Sequence, residues 1–388
     1  MRALSTISGH SDTRTAAMEV ANGLESALEG AQPAALIILA SFHHAKAFSE
    51  ISDHLGSQFQ PQALIGGTAQ TVFSGLEAPD RRAGLVAFAL EGRGLVARSF
   101  MMDWERGPAE LATPTQWNRL ASTGSDHAAT FLLADPFTTD PRPILEALDH
   151  GVPGPIGGGM LSGSTRPGCN VLIADQDHAT TGLVGMGLGG PIRCDTLVSQ
   201  ACRPIGSPMV VTGAGQDSVT TLGGRPAAEA ARETILALDD EERQLVSNGL
   251  RLGLAVTEYR EHFGAHDFLV REITGVDENT GALQIAERPA VGRTVQFLVR
   301  DPASAETDLD LALDVQSLDE TPPLGILLAE SSVRGVTIAD LRRLRTRLGE
   351  VPVAGMVCAG EFARRSGRSL VHGASASALI FRARDERD

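Results

Sequence analysis

Aromatic side chains are scarce in this sequence. Only 4% of the 388 residues are aromatic, with one Tyr and two Trp, and the excess of acidic residues gives a net charge of -15. Binding to nucleic acids relies on a positively charged surface, and single strands also stack on aromatic rings. We therefore expect no nucleic-acid partner.

Long apolar runs are missing as well. No window holds the ~20 consecutive apolar residues that a membrane-spanning helix needs. The first residues, Met1-Arg2-Ala3, lead into Ser, His and Asp instead of the apolar segment of a signal peptide. These features predict a cytoplasmic protein without a membrane partner.

Cysteines are few and widely separated. Cys169, Cys194, Cys202 and Cys358 do not form a Cys-x-x-Cys metal motif, and a chain this long does not need disulfides for stability. We expect free thiols, no metal and no cofactor. A length of 388 residues favours two domains, and the hydrophobic fraction of 42% is typical of globular proteins.

One pattern occurs three times along the chain. Short apolar runs at 36–41, 130–135 and 325–330 predict buried strands. Each is followed by a segment whose apolar residues recur at three- and four-residue spacing, which predicts a helix. A second apolar strand with glycine then follows, at 64–67, 155–159 and 353–360, and a third closes each copy, at 84–90, 182–188 and 373–381.

The spacing within the copies supports a repeat. From the alanine of the first strand to the glycine of the second, the offset is 26 residues in copies one and three and 23 in copy two. We expect an α/β (α+β) fold with three related β-α-β-β units, which form mixed, largely antiparallel sheets flanked by helices.

Different material separates copies two and three. A helix is predicted at 225–238, with the acidic run 239–242 as its continuation, and another helix at 304–313. Between them, β-rich runs and turn residues predict a hairpin-rich insertion. We expect domains at 1–207 and 208–388.

The order of these motifs resembles the FIST family. The resemblance covers most of the chain. It rests on segments 36–44, 65–67, 156–159, 224–227, 268–271 and 353–361, on the Gly281 turn and the Arg300-Asp301 strand end, and on Arg334-Gly335 and His372-Gly373 with Ser375 and Ser377.

The resemblance implies an N-terminal and a C-terminal FIST domain, as found in bacterial sensory proteins. It implies that the protein senses a small molecule, an amino acid or a related metabolite, and passes the signal to a separate protein. The family often has a cysteine in the turn before Arg-Gly, whereas this chain has Ser331-Ser-Val-Arg-Gly335. A required thiol at that turn is therefore in doubt.

Glycines at strand ends are the first candidate ligand-binding residues. Gly66, Gly67, Gly157 and Gly158 allow a positive φ and let backbone N–H groups converge on an anion such as a carboxylate. A tight turn packed against its neighbour would explain the same glycines equally well.

Polar residues near the strand ends complete the predicted site. Ser41, Asp135 and Glu330 occupy the same point in their copies, where ligands of open α/β sheets bind. An ammonium group would contact Asp135 or Glu330, and a carboxylate would contact Arg334. The other candidates are His43, His44, Gly360 and Glu361. Helix capping and surface salt bridges are the alternative interpretation.

An enzyme is the alternative to a sensor. Cys358, Glu361 and His372 would then act as nucleophile, acid and base on a small acyl or amino substrate. Flanked by Val357 and Ala359, Cys358 also fits a small apolar position in a strand. A scaffold without a pocket is a third possibility.

Three further motifs are assigned no site role. The run 185–190 is followed by Pro191 and not by the helix that a dinucleotide-binding loop needs. His262 and His266 lack a third metal ligand. Arg271 and Asp301 are predicted to form a structural pair.

Overall fold

The computed structural model describes residues 1–77, 83–103, 113–260, 262–285, 287–334, 337–365 and 367–384. The chain forms two compact units. The first unit contains Met1–Val198, Asp310–Val371 and the chain from Ala376, and the second contains Ser199–Leu309 and His372–Ser375.

The helices of the described residues are α1 Thr13–Leu28, α2 Phe48–Phe59, α3 Pro114–Ala121, α4 Pro141–Gly151, α5 Ala227–Ala237, α6 Asp240–Val246, α7 Pro302–Ser317 and α8 Ile338–Leu348, with short 3-10 helices at Phe42–Ala47 and Ala265–Asp267. Among these residues, no helix combines the length and apolar character needed to cross a membrane.

The first twelve strands are β1 Arg2–Ser8, β2 Ala35–Ser41, β3 Ala63–Ala69, β4 Val72–Ser74, β5 Leu85–Glu91, β6 Val96–Met102, β7 His127–Ala134, β8 Ile156–Met160, β9 Leu172–Ala174, β10 Asp177–Ala179, β11 Leu183–Gly189 and β12 Ile192–Gln200. The next twelve are β13 Cys202–Ala214, β14 Ser218–Leu222, β15 Arg225–Pro226, β16 Leu250–Ala255, β17 Phe268–Val276, β18 Leu283–Ile285, β19 Thr294–Arg300, β20 Pro323–Ser331, β21 Val353–Cys358, β22 Gly360–Arg365, β23 Arg368–His372 and β24 Ser375–Ala383.

Three sheets carry the strands of the first unit. Their strand orders are β1-β5-β2-β3-β9-β10 in the first sheet, β23-β22-β8-β7-β11-β6 in the second and β12-β24-β20-β21-β4 in the third. Each contains a parallel pair, β2 with β3, β7 with β8 and β20 with β21. One strand of each pair also has an antiparallel neighbour: β5 beside β2, β11 beside β7 and β24 beside β20. The predicted α/β class with mixed, largely antiparallel sheets is confirmed.

Each parallel pair is joined by a helix whose start is fixed by a polar side chain or a turn. In α4, Asp140 accepts a hydrogen bond from the Arg142 N–H and Pro141 opens the helix. In α8, the Thr337 hydroxyl oxygen accepts a hydrogen bond from the Asp340 N–H. The short 3-10 helix Phe42–Ala47 leads into α2. Because the crossover returns the chain to the same edge, the carboxyl ends of both strands of a pair lie together.

The three sheets of the first unit share one apolar core. Ile37 of the first sheet, Phe131 of the second and Leu327 of the third belong to the same buried cluster. The neighbouring Leu36 and Ile38 point to the other face of the first sheet, where they pack against α1 and α2. Burial on both faces explains why β2 reads as a continuous apolar run.

The second unit is built on one antiparallel sheet that closes on itself. Its order is β13-β19-β16-β17-β18-β14-β15, and β13 also pairs with β14. The predicted β-rich runs correspond to β17, β18 and β19. The acidic run 239–242 does not continue α5, because Asp239 instead caps a separate helix, α6.

The predicted pair of Arg271 with Asp301 is wrong. The Nε of Arg271 lies 2.5 Å from Glu287 Oε2, and Asp301 Oδ2 lies 3.1 Å from Arg203 Nε. Both residues make structural ion pairs, but each with another partner.

We predict that Gly158→Ala destabilises the protein by at least about 2 kcal/mol. Gly158 has φ +111°, and a Cβ there would overlap the carbonyl oxygen of Leu132 on the neighbouring strand. Gly56→Ala is the control, because a Cβ in α2 would meet Leu64 Cδ1 at an ordinary 3.4 Å. That change should be neutral or stabilise by up to about 1 kcal/mol. Urea unfolding measures both, and equal stabilities would contradict the prediction.

Candidate functional site

A cleft of about 940 Å³ lies at the carboxyl ends of the three parallel strand pairs. Each of the six strands is followed, one or two residues after its end, by a residue that lines the cleft. These residues are Phe42, Gln70, Pro136, Leu161, Ser332 and Ala359. The loop after β8, residues 161–169, supplies most of the remaining lining. The volume is in the range of small-molecule pockets.

Hydrogen bonds tie the loop after β8 to neighbouring strand ends. The Gln70 N–H donates to Ser162 Oγ at 2.9 Å, and the Ser162 hydroxyl donates to the Val357 carbonyl. The Leu161 N–H donates to the Ala134 carbonyl, and the Ala359 N–H donates to the Met160 carbonyl. The cleft is therefore held by bonds that join all three sheets.

A buried carboxylate, Asp135, accepts hydrogen bonds from the loops that line the cleft. Asp135 is fully buried, and its Oδ2 accepts hydrogen bonds from the Phe137 N–H at 3.1 Å and the Thr138 hydroxyl at 2.8 Å. Its Oδ1 accepts one from Asn170 Nδ2 at 3.0 Å, and Asn170 Oδ1 accepts the Ser164 N–H. Asp135 thus organises two loops that line the cleft.

Comparison with known proteins decides the family. The FIST N domain matches residues 34–225, and the FIST C domain matches residues 227–364. The chain belongs to the FIST family. Of the cleft residues, Phe42 to Cys169 lie in the FIST N segment, and Ser332 and Ala359 lie in the FIST C segment.

Mycobacterial proteins are similar to this chain over nearly their whole length. The uncharacterized protein Rv0628c of Mycobacterium tuberculosis is 36% identical over 378 residues, which cover 95% of this chain and 97% of that protein. The uncharacterized protein Mb0898c of Mycobacterium bovis is 36% identical over 380 residues, which cover 95% and 96%.

None of the twelve predicted ligand-binding residues, all within the described segments, is among the residues that line the FIST cleft. Several are their chain neighbours. Ser41 precedes Phe42 and is buried, with its hydroxyl oxygen accepting the Gly84 N–H at 3.0 Å. His43 lies 2.6 Å from the Ser11 carbonyl through Nε2.

His44 is buried inside the FIST N segment. Its Nδ1 lies 2.9 Å from the Thr13 hydroxyl. Burial, helped by the neighbouring His43, lowers the pKa of His44 to about 4, so the ring is neutral near pH 7. A neutral, enclosed imidazole does not supply charge to a ligand.

The predicted glycines serve close packing. A Cβ on Gly66 would approach the Ile38 carbonyl oxygen to 2.8 Å, and one on Gly67 would approach Leu161 Cδ2 to 2.6 Å. A Cβ on Gly157 would meet Leu379 Cγ at 2.5 Å. Among the four predicted turn glycines, all of them described, Gly158 alone has a positive φ. Gly360 pairs with Met160 between two strands.

Buried ionisable side chains, Glu330 and Arg334, flank the cleft residue Ser332 in the sequence. Glu330 Oε1 is 3.2 Å from Arg334 Nε, and Arg334 Nη2 is 3.6 Å from Asp340 Oδ1 at the start of α8. Burial raises the pKa of Glu330 to about 8; Arg334 opposes this shift, and Asp340 and Glu361 add to it. Arg334 therefore connects the end of β20 to the first turn of α8.

The alternative catalytic residues lie in different environments. Cys358 is fully buried, and burial raises the pKa of its thiol well above its usual value, with Glu361 adding to the effect. Such a thiol is a poor nucleophile near neutral pH. Glu361 is also fully buried, and His372 belongs to the second unit. Within the described residues, no group of three or more His, Cys, Asp or Glu could hold a metal ion.

The loop after β8 was not among the predicted site residues. Its Ser162-Gly-Ser-Thr165 run and Arg166 follow a predicted strand end, which is where ligands of open α/β sheets bind. That position was the available signal. The length of the loop and its return over the cleft could not be read from its composition.

We predict that Glu330→Gln changes how stability depends on pH. A carboxyl whose pKa is raised on folding stabilises the folded state fully below its unfolded pKa and loses that contribution as pH rises through the folded pKa. Between pH 4.5 and about 8, the wild type should lose stability relative to the variant by up to about 1.4 kcal/mol per pH unit.

Urea unfolding across this pH window measures the difference. Glu50→Gln, at an exposed glutamate of α2, controls for the loss of a carboxyl group. A constant difference between wild type and Glu330→Gln would show that Glu330 is ionised throughout.

Iodoacetamide should separate the thiols of the native protein. Near neutral pH we expect modification of Cys169, which is half-buried in the cleft, and no modification of Cys358. Peptide mass spectrometry reads both sites, and the unfolded protein, in which all four cysteines should react, is the control. Rapid, selective modification of Cys358 would restore the nucleophile hypothesis.

Proposed function

We propose that this FIST protein is a sensory module that binds a small molecule in the cleft of the first unit. The observation that carries the proposal is the convergence of six strand ends, two from each sheet, on one cleft. A ligand there would contact segments from all three sheets at once. The FIST family assignment supports a sensory role.

Occupancy becomes a signal when the ligand binds two conformations with different affinity. Ser332 of the cleft lies two residues before Arg334, which is paired with Glu330 and with Asp340 of α8. A ligand that changes the position of Ser332 would therefore bias the start of α8. In this proposal a separate signalling protein reads the change.

Catalysis is not proposed. The enzyme hypothesis depends on Cys358, and full burial keeps this thiol protonated near neutral pH. Saturable binding without turnover is the behaviour expected of a sensor.

A thermal-shift screen with amino acids, nucleotides and organic acids tests the proposal. A ligand at a hundred times its Kd should stabilise the protein by about 2.7 kcal/mol. Ser332→Trp should strongly reduce the shift, because an indole at this exposed position would occupy space in the cleft. Ser26→Trp, at an exposed serine of α1 outside the cleft, should leave the shift unchanged.

Two results would contradict the proposal. A ligand that stabilises Ser332→Trp as much as the wild type binds elsewhere. A screen in which no compound stabilises the wild type would count against ligand sensing altogether.

A further inference from the structure

Charge in the cleft comes from one residue. Among the described residues that line it, Arg166 is the only one with a charged side chain, and none is an aspartate or glutamate. The guanidinium is exposed and forms no ion pair with another described residue. It is therefore available to a ligand, with five N–H donors suited to a carboxylate.

Backbone donors at the cleft are largely used by the fold. The N–H groups of Gln70 and Ser164 donate to side-chain oxygens, and those of Ser332 and Ala359 donate to carbonyls of neighbouring segments. An anionic group in the cleft must therefore bind mainly to side chains. Among the lining side chains, Arg166 is the charged donor, and the hydroxyl groups of residues such as Thr165 are neutral donors.

The described residues that line the cleft include no carboxylate to pair with an ammonium group. The nearest carboxylate along the chain, Asp135, is fully buried and already accepts hydrogen bonds from Phe137, Thr138 and Asn170. Glu330 is buried against Arg334. An ammonium group that left water for the cleft would lose hydrogen bonds without gaining a charged partner.

Exposed aromatic side chains line the cleft. The chain has 13 phenylalanines, and the only two that are exposed in the described residues, Phe42 (45%) and Phe137 (42%), both line the cleft. Pro136, which is half-buried, adds aliphatic surface. Apolar side chains gathered at a concave surface favour a ligand with an aromatic or similarly apolar body.

We infer that the cleft binds carboxylates with an aromatic or similarly apolar body and discriminates against the corresponding zwitterionic amino acids. This inference rests on the proposed function and narrows its ligand class. The carboxylate pairs with Arg166, and the apolar body packs between Phe42 and Phe137. The ligand thus differs from the amino acids that the resemblance to the family implied.

Three compounds that share a phenyl ring and a three-carbon chain test the inference: 3-phenylpropanoate, L-phenylalanine and 3-phenylpropan-1-amine. Isothermal titration should give 3-phenylpropanoate at least about tenfold tighter binding than phenylalanine, a difference of about 1.4 kcal/mol. The amine should bind most weakly. Affinity for the carboxylate should also fall as salt is raised, because Arg166 is exposed.

Arg166→Gln should weaken binding of 3-phenylpropanoate by about tenfold or more, since a hydrogen bond to a charged group is lost. It should also remove most of the salt dependence. Arg119→Gln, at an exposed arginine of α3 outside the cleft, removes the same charge and should leave affinity unchanged. Thermal unfolding of both variants without ligand checks that they fold.

The outcomes separate the inference from the proposed function. Equal or tighter binding of phenylalanine, blocked by Ser332→Trp, would overturn the ligand class while the cleft remained the site. Unchanged affinity in Arg166→Gln, or no binding of 3-phenylpropanoate to the wild type, would also overturn the inference. The proposed function would then depend on the wider screen alone.

Discussion

Apolar packing among three sheets is the constraint on which the first unit depends. Ile37, Phe131 and Leu327 come from different sheets and share one buried cluster. The sheets approach closely because glycine replaces larger residues where they touch, as at Gly67 against Leu161. Adding even one methyl group at such a point forces neighbours to move, because protein interiors are close-packed. The glycines are therefore part of the core.

The position of the cleft follows from this packing. Each sheet has one parallel pair joined by a helix, so the two carboxyl ends of a pair lie at the same edge. With three such edges around one core, residues such as Phe42, Pro136 and Ser332 line a common cavity. Asp135 and Asn170, both fully buried, hydrogen-bond to each other and hold the loops that line this cavity.

The sequence predicted strands and helices well because their signals are local. The apolar run of β2 and the Asp140-Pro141 cap of α4 are readable without tertiary information. The region of the cleft was also predictable, from the rule that ligands bind at strand ends. Side-chain direction was not. Asp135 and Arg334 are polar residues near those ends, but Asp135 accepts hydrogen bonds from its own loop and from Asn170, and Arg334 contacts Glu330 and Asp340. Sequence spacing does not reveal such partners.

The cleft brings together chain segments that are far apart in sequence, from Phe42 to Ala359. A molecule that contacts both acts as a reversible cross-link across some three hundred residues, comparable in its topology to closing a long loop. Its effect would extend beyond the atoms it touches. Fluctuations that separate the strand ends would be suppressed in all three sheets together, so a single binding event would stiffen the unit as a whole.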